Sequence, residues 1–236
     1  MALLSDKDAK FLKDHFAEHM VDPVKLVFFT QTIACQFCKE TEAVLNEVAN
    51  LSDKVTVEVR DFVIDKDLAK SYGVDKIPAT VVLGAKDHGV RFYGISSGYE
   101  FTSLVEAIVG VSNIKSPLAP ETLAALAKID KPVHIQVFVT PTCPFCPPAV
   151  RMAHSMAVAS ENVRADMVES IEFPHLAVKY QVQGVPRVVI NEDTVIEGAT
   201  PERLFLARVE QAAGLRKKEE VDKLFKAAEQ GQLYNG

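Results

Sequence analysis

Apolar residues along this chain follow two alternating rhythms, and the whole alternation occurs twice. Phe11, Leu12 and Phe16 fall on one side of a helix expected from Asp6 to Met20. Val24 to Phe29 is a short, nearly continuous apolar run of the kind a buried strand carries. Val44, Leu45, Val48 and Leu51 then return at helical spacing among polar neighbours. Val55 to Arg60 alternates as a strand does, and Asp67 to Tyr72 predicts a short helix stopped by Gly73. Pro78 to Leu83 and Val90 to Tyr93 predict a hairpin turning around Lys86-Asp87-His88-Gly89, followed by a helix from Phe101 to Val109.

Residues 112–120, Ser-Asn-Ile-Lys-Ser-Pro-Leu-Ala-Pro, are rich in breakers and mark a boundary. The order then restarts, with a helix from Glu121 to Ile129 and a strand from Val133 to Val139. A helix carries Met152, Ala153 and Met156 inward, a strand surrounds Val163 to Val168, and a short helix spans His175 to Tyr180. A hairpin from Pro186 to Glu197 turns near Asn191-Glu192-Asp193, and a helix begins at Pro201. Lys217 to Ala228 adds an amphipathic helix with Val221, Leu224, Phe225 and Ala228 on one face. This alternation predicts an α/β protein of two tandem domains, residues 1–116 and 117–236, each a mixed central sheet flanked by helices.

A chain of 236 residues, nearly half of them apolar, is long enough for two such cores. The net charge of −6 argues against nucleic acid or an anionic membrane surface as a partner. No apolar run approaches the ~20 residues that span a bilayer. The first ten residues lack the basic segment and apolar stretch of a secretory leader, so a cytoplasmic protein is expected. In that compartment closely spaced cysteines serve redox catalysis or metal binding more often than a structural framework.

All four cysteines lie in two Cys-Xaa-Xaa-Cys pairs, Cys35-Gln36-Phe37-Cys38 and Cys143-Pro144-Phe145-Cys146, 108 residues apart. Pro78 and Pro186 each follow the first cysteine of a pair by 43 residues. Phe37 and Phe145, Tyr72 and Tyr180, and Val74 and Val182 share the 108-residue offset, so one unit is present twice. Such a pair at a helix start puts two sulfurs one turn apart, within reach of a disulfide. Unpaired N–H groups and the helix dipole there stabilise a thiolate. Cys35 and Cys143, at the exposed strand-to-helix junctions, are the expected nucleophiles; Cys38 and Cys146, one turn deeper, are the expected resolving thiols. Ile77-Pro78 and Val185-Pro186 each precede a strand, and a cis peptide facing the cysteines would offer backbone to an extended substrate. Phe37 and Phe145 read equally as substrate contacts or as packing over the neighbouring loop.

The order of strand, Cys-Xaa-Xaa-Cys, helix and Ile-Pro or Val-Pro before a hairpin resembles the thioredoxin superfamily. Two units, with Cys-Gln-Phe-Cys first and Cys-Pro-Phe-Cys second, resemble the glutaredoxin-like protein disulfide oxidoreductases of thermophilic archaea and bacteria, over nearly the whole chain. The resemblance implies two thioredoxin-like domains and an enzyme of dithiol–disulfide exchange, acting on protein substrates as reductase, oxidase or isomerase. Redox-active disulfides then take the place of a cofactor. Thioredoxins carry a buried Asp six residues before the first cysteine; Phe29 and Val137 stand there, so the resolving thiol must lose its proton to another group. Thr32 and Thr140 stand where glutaredoxins carry a basic residue, and Gly198-Ala199-Thr200 lacks their Asp, which argues against a glutathione site. Lys39 and Lys76 bring positive charge toward the first pair, whereas Pro144, Pro147 and Pro148 thin out N–H donors at the second. Val185 resembles the residue at this place in strongly oxidising periplasmic oxidants, and Ile77 that in thioredoxin. The second site is therefore expected to be the more oxidising and to carry most of the exchange.

A second redox reading is a relay from a thioredoxin reductase-like flavoprotein to a peroxiredoxin. A zinc site of four cysteines would use the same residues, but pairs in such sites usually lie ~15 to 20 residues apart, and the paired prolines would have no role; no metal is expected. A purely stabilising disulfide is a weak alternative, because so short a loop constrains the unfolded chain little. The six histidines show no ligand spacing, and His134 reads as a satisfied core residue. Glu58 and Asp61, with Asp166 and Glu169 on the counterpart strand, read as solvated strand-edge charge more readily than as buried proton acceptors.

Overall fold

The computed structural model describes residues 4–33 and 35–230; the first three residues of the N-terminal stretch lie outside them. The first half runs α1 (Asp6–His19), β1 (Val24–Thr30), α2 (Cys38–Ala49), β2 (Val55–Asp61), α3 (Lys66–Ser71), β3 (Ala79–Leu83), β4 (Asp87–Tyr93) and α4 (Glu100–Asn113). The second runs α5 (Pro120–Leu126), β5 (Val133–Val139), α6 (Cys146–Ala159), β6 (Val163–Glu169), α7 (Pro174–Lys179), β7 (Arg187–Ile190), β8 (Thr194–Glu197), α8 (Glu202–Ala212) and α9 (Lys218–Glu229). The protein is thus α/β, and each half follows the element order its sequence predicts.

Local departures have identifiable causes. Leu12 and Phe16, one helical turn apart, are buried, while Phe11 is rotated off that face, is 69% exposed and stacks on His15. The helix expected to stop at Val109 continues to Asn113, because Ser112 ties it to the α1–β1 connection. Its Oγ accepts from Val21 N and donates to Asp22 O. The helix expected to reach Ile129 ends at Leu126 and continues as turns. The first hairpin turns before Asp87, not around it. Gly89, with φ +77°, occupies a register shift inside β4, where an added Cβ would lie 2.8 Å from the Val163 carbonyl. Glycine at 89 therefore marks a close approach between the halves.

The described strands form one sheet in the order β2-β1-β3-β4-β6-β5-β7-β8. Each half contributes a parallel pair followed by an antiparallel hairpin. The sequence predicts a sheet in each half, and the two are fused: Val90 to Tyr93 pair in parallel with Ala165 to Val168. Each unpaired edge thereby satisfies the other's N–H and C=O groups. Val90, Phe92, Ala165 and Met167 belong to one apolar cluster shared by α1, α2, α4, α6 and α8. Tyr93 and Val168 join Phe29, Phe138, Phe173 and Tyr180 on the opposite face, beside α3 and α7. Burying a side chain such as Phe92 contributes about 2 to 3 kcal/mol.

Fusion also overturns one expectation. Asp166 and Glu169 are buried, because β6 lies inside the joined sheet; on β2, an edge strand, Glu58 and Asp61 remain partly exposed. Asp166 accepts from Arg164 Nε and Nη2, each at 2.9 Å, and lies 2.6 Å from His134 Nε2. His134 is therefore a half-exposed partner of a buried carboxylate, not a residue enclosed in the apolar core. Arg164 reaches across to the first half, donating to Tyr93 OH at 2.8 Å and to Gly73 O at 3.0 Å. Burial alone would raise the Asp166 carboxyl, but the hydrogen bond and charge of His134 and the charge of Arg164 hold it far below the usual carboxylate range.

Candidate redox sites

Each Cys-Xaa-Xaa-Cys is closed as a disulfide, Cys35–Cys38 and Cys143–Cys146, with Cα atoms 5.5 Å apart in both. Cys38 and Cys146 are the first residues of α2 and α6, and no side chain caps either helix start. The sulfurs therefore sit where unpaired N–H groups and the positive end of the helix dipole collect. Cys38 and Cys146 are buried, and Cys35 is half-buried. Cys143, expected at an exposed junction, is only 7% exposed, with its Sγ 3.6 Å from the Val185 carbonyl oxygen.

Both Ile77–Pro78 and Val185–Pro186 are cis. Pro78 and Pro186 are buried just ahead of β3 and β7, and Ile77 and Val185 are half-buried against the core. Phe145 is 66% exposed, whereas Phe37 is half-buried. Lys39 is exposed, but Lys76 does not serve as a free cation for the first pair. Its Nζ pairs with Asp75 at 2.5 Å and lies 3.8 Å from the centre of the Tyr93 ring.

Two sets of carboxylates near the sites are not evident from the sequence. Glu100 opens α4 and is almost fully buried. The preceding Tyr99 donates its N–H to Pro141 O at 3.0 Å, two residues before Cys143. Burial pushes the Glu100 carboxyl up to about 7, with Ser103 and Arg151 opposing it in part. Glu172 reaches the first half just after β4, accepting from Ile95 N at 2.6 Å, while Glu169 accepts from Glu172 N at 2.7 Å. Burial, Glu169 and Glu40 push Glu172 up to about 7 as well, despite the Ile95 bond. The 108-residue repeat gives no hint of these groups, since Arg208 and Ile64 occupy the matching positions. Breaks in the repeat were the signal that could have found them.

A folded pKa raised from the usual glutamate value gives stability that is full at low pH and is lost as pH rises through about 7. In the oxidised protein, Glu100→Gln is therefore expected to gain about 2 kcal/mol relative to the parent between roughly pH 5 and pH 8. Taking the difference cancels groups common to both proteins. Thermal and urea unfolding at the two pH values measure it; a constant difference would exclude a buried titrating Glu100.

Among the described residues, no group of three or more His, Cys, Asp or Glu could hold a metal ion, and no helix is long and apolar enough to cross a membrane. A thioredoxin domain model matches residues 133–211, which include the second cysteine pair and Pro186. The F subunit of the alkyl hydroperoxide reductase of Escherichia coli (strain K12) is 27% identical over 218 residues, covering 92% of this chain and 40% of that protein. The chain thus spans less than half the length of such curated relatives. The NTD_N/C domain of alkylhydroperoxide reductase AhpF from Enterococcus faecalis (V583) superimposes with a TM-score of 0.82 at 28% identity, over 87% of this chain and 99% of that one. A protein disulfide oxidoreductase from Aeropyrum pernix K1 superimposes with a TM-score of 0.83 at 32% identity, over 90% of this chain and 94% of that one. With two disulfides at matching helix starts and this agreement over almost the full length of both chains, the protein belongs to the thioredoxin-fold protein disulfide oxidoreductases.

Proposed function

We propose that the protein exchanges electrons with protein dithiols and disulfides at both sites, each half (residues 1–116 and 117–236) acting as one unit. In the reductive direction, the Cys143 thiolate attacks a substrate disulfide. A bond forms between Cys143 and one substrate sulfur, and the other substrate sulfur leaves as a thiolate. Cys146 then attacks the Cys143 sulfur, closing the pair as a disulfide and releasing the second substrate thiol, so two electrons pass to the substrate. Cys35 and Cys38 perform the same steps in the first half, and the reverse sequence oxidises a substrate dithiol. Ile77 and Val185 offer backbone beside Pro78 and Pro186 to an extended substrate segment, and Phe37 and Phe145 supply apolar contact. The observation that carries this reading is the Val185 carbonyl set against Cys143 Sγ at a helix start. A reducing compartment such as the cytoplasm suits exchange of this kind.

A relay is the second reading, in which a thioredoxin reductase-like flavoprotein supplies electrons and a peroxiredoxin consumes them. It is supported by similarity to a protein named for hydroperoxide reduction.

The second site is the more oxidising in this proposal. Glu40 places a carboxyl group two residues after Cys38, and Asp75 neutralises Lys76, so the thiolate there is less favoured. Redox titration of Cys35→Ser and Cys143→Ser is expected to separate the two midpoints by at least about 30 mV, a tenfold difference. Each variant should still reduce insulin with dithiothreitol. Equal midpoints would remove the asymmetry, and insulin left intact by both would remove the enzyme reading. Faster turnover in a coupled assay of reductase and peroxiredoxin than with insulin would favour the relay.

A further inference from the structure

The loop leaving β6 reaches out of the second half and holds the first. Glu172 Oε1 accepts a 2.6 Å hydrogen bond from Ile95 N–H, a short bond to a carboxyl group. The residue before, Gly94, donates its own N–H to Pro78 O at 3.0 Å. Gly94 has φ +91°, and a Cβ there would lie 2.8 Å from Glu172 Oε1 and 2.6 Å from Glu169 Cβ. Only glycine admits so close a contact.

The corresponding loop in the first half has the same turn but not the same reach. Asp61 Oδ1 accepts from Val63 N and Ile64 N much as Glu169 accepts from Glu172 N, yet Ile64 is 82% exposed. Sheet order explains the difference, because β2 is an edge strand whereas β6 borders β4. The loop is also anchored beside the second site. Ser170 N–H donates to Val139 O at 2.9 Å, and the next carbonyl, that of Thr140, accepts from Cys143 N–H at 3.1 Å.

We propose that Glu172 is a positioning residue for the first redox site: from the second half, its carboxyl group fixes Gly94 and Ile95, and through the Gly94–Pro78 bond the Ile77 backbone that receives substrate at Cys35–Cys38. This rests on the reading of Ile77–Pro78 as a substrate edge given above. The test uses the full chain with Cys143→Ser and Cys146→Ser together, so that only the first site turns over, and insulin with dithiothreitol as the assay. Glu172→Ala is expected to raise KM about tenfold while kcat changes less than about twofold. Glu172→Gln, whose amide oxygen still accepts from Ile95 N–H, is expected to restore KM. In a Cys35→Ser, Cys38→Ser background, Glu172→Ala should leave both constants unchanged. An unaltered KM in the first background, or equal losses in both, overturns the proposal. A first-site protein that reduces no insulin even with Glu172 intact overturns the functional reading, and this proposal with it.

Discussion

A reduced Cys146→Ser protein mixed with an oxidised protein substrate is expected to finish covalently joined to it. Cys143 retains its position beside Val185 and the start of α6, so attack and formation of the mixed disulfide proceed. The buried sulfur that would displace the substrate is gone, and a serine hydroxyl cannot replace it. With Cys35 and Cys38 also changed to serine, insulin turnover should fall by roughly two orders of magnitude. Non-reducing electrophoresis should show a band equal to enzyme plus substrate that dithiothreitol dissolves. Cys143→Ser in the same background should lose turnover without that band. A Cys146→Ser protein that turns over normally, or a Cys143→Ser protein that traps as well, would exchange the assigned roles or remove them.

Asp166→Ala is expected to destabilise the protein by about 3 to 5 kcal/mol, the usual effect of breaking a buried ion pair from one side. The substitution leaves Arg164, which bonds Tyr93 and Gly73 across the join, without its carboxylate counter-charge. Urea unfolding, with the midpoint interpreted at unchanged slope, measures the loss. A change below about 1 kcal/mol would mean that the β4–β6 ladder and apolar packing hold the halves together without this ion pair. The lowered pKa fixes the sign of the pH dependence: this stability is present above the usual aspartate value and lost as pH falls through the folded one. The gap between parent and variant should therefore persist down to about pH 4 and narrow below it.

The elements that make the sites were legible because local physics specifies them. Val24–Phe29 and Val133–Val139 carry enough continuous apolar surface to read as buried strands, and each Cys-Xaa-Xaa-Cys has its resolving cysteine at a helix start. The exact 108-residue echo of the cysteines, prolines and aromatic residues carried the duplication. What could not be read was what the halves do to each other. Asp166 and Glu169 look like edge charges in their own strand and become interior only when β4 lies alongside. Gly89 looks like a hairpin glycine, but its neighbour is the Val163 carbonyl from the other half. Glu100 and Glu172 acquire their surroundings in the same way, from residues distant in the chain. Lys76 looks like a free cation for a related reason, since the Tyr93 ring that holds its ammonium belongs to a strand seventeen residues on.

The shared ladder between β4 and β6 has a consequence for how the chain tolerates being cut. A piece ending after α4 would bare the Asp87–Tyr93 flank, including Val90 and Phe92, and the complementary piece would bare Val163–Glu169. Open flanks of that composition recruit whatever strand is nearest, often a sister molecule. Severed pieces would therefore be sticky toward themselves and toward each other, and co-expression of both would be the gentle route to reassembling the whole.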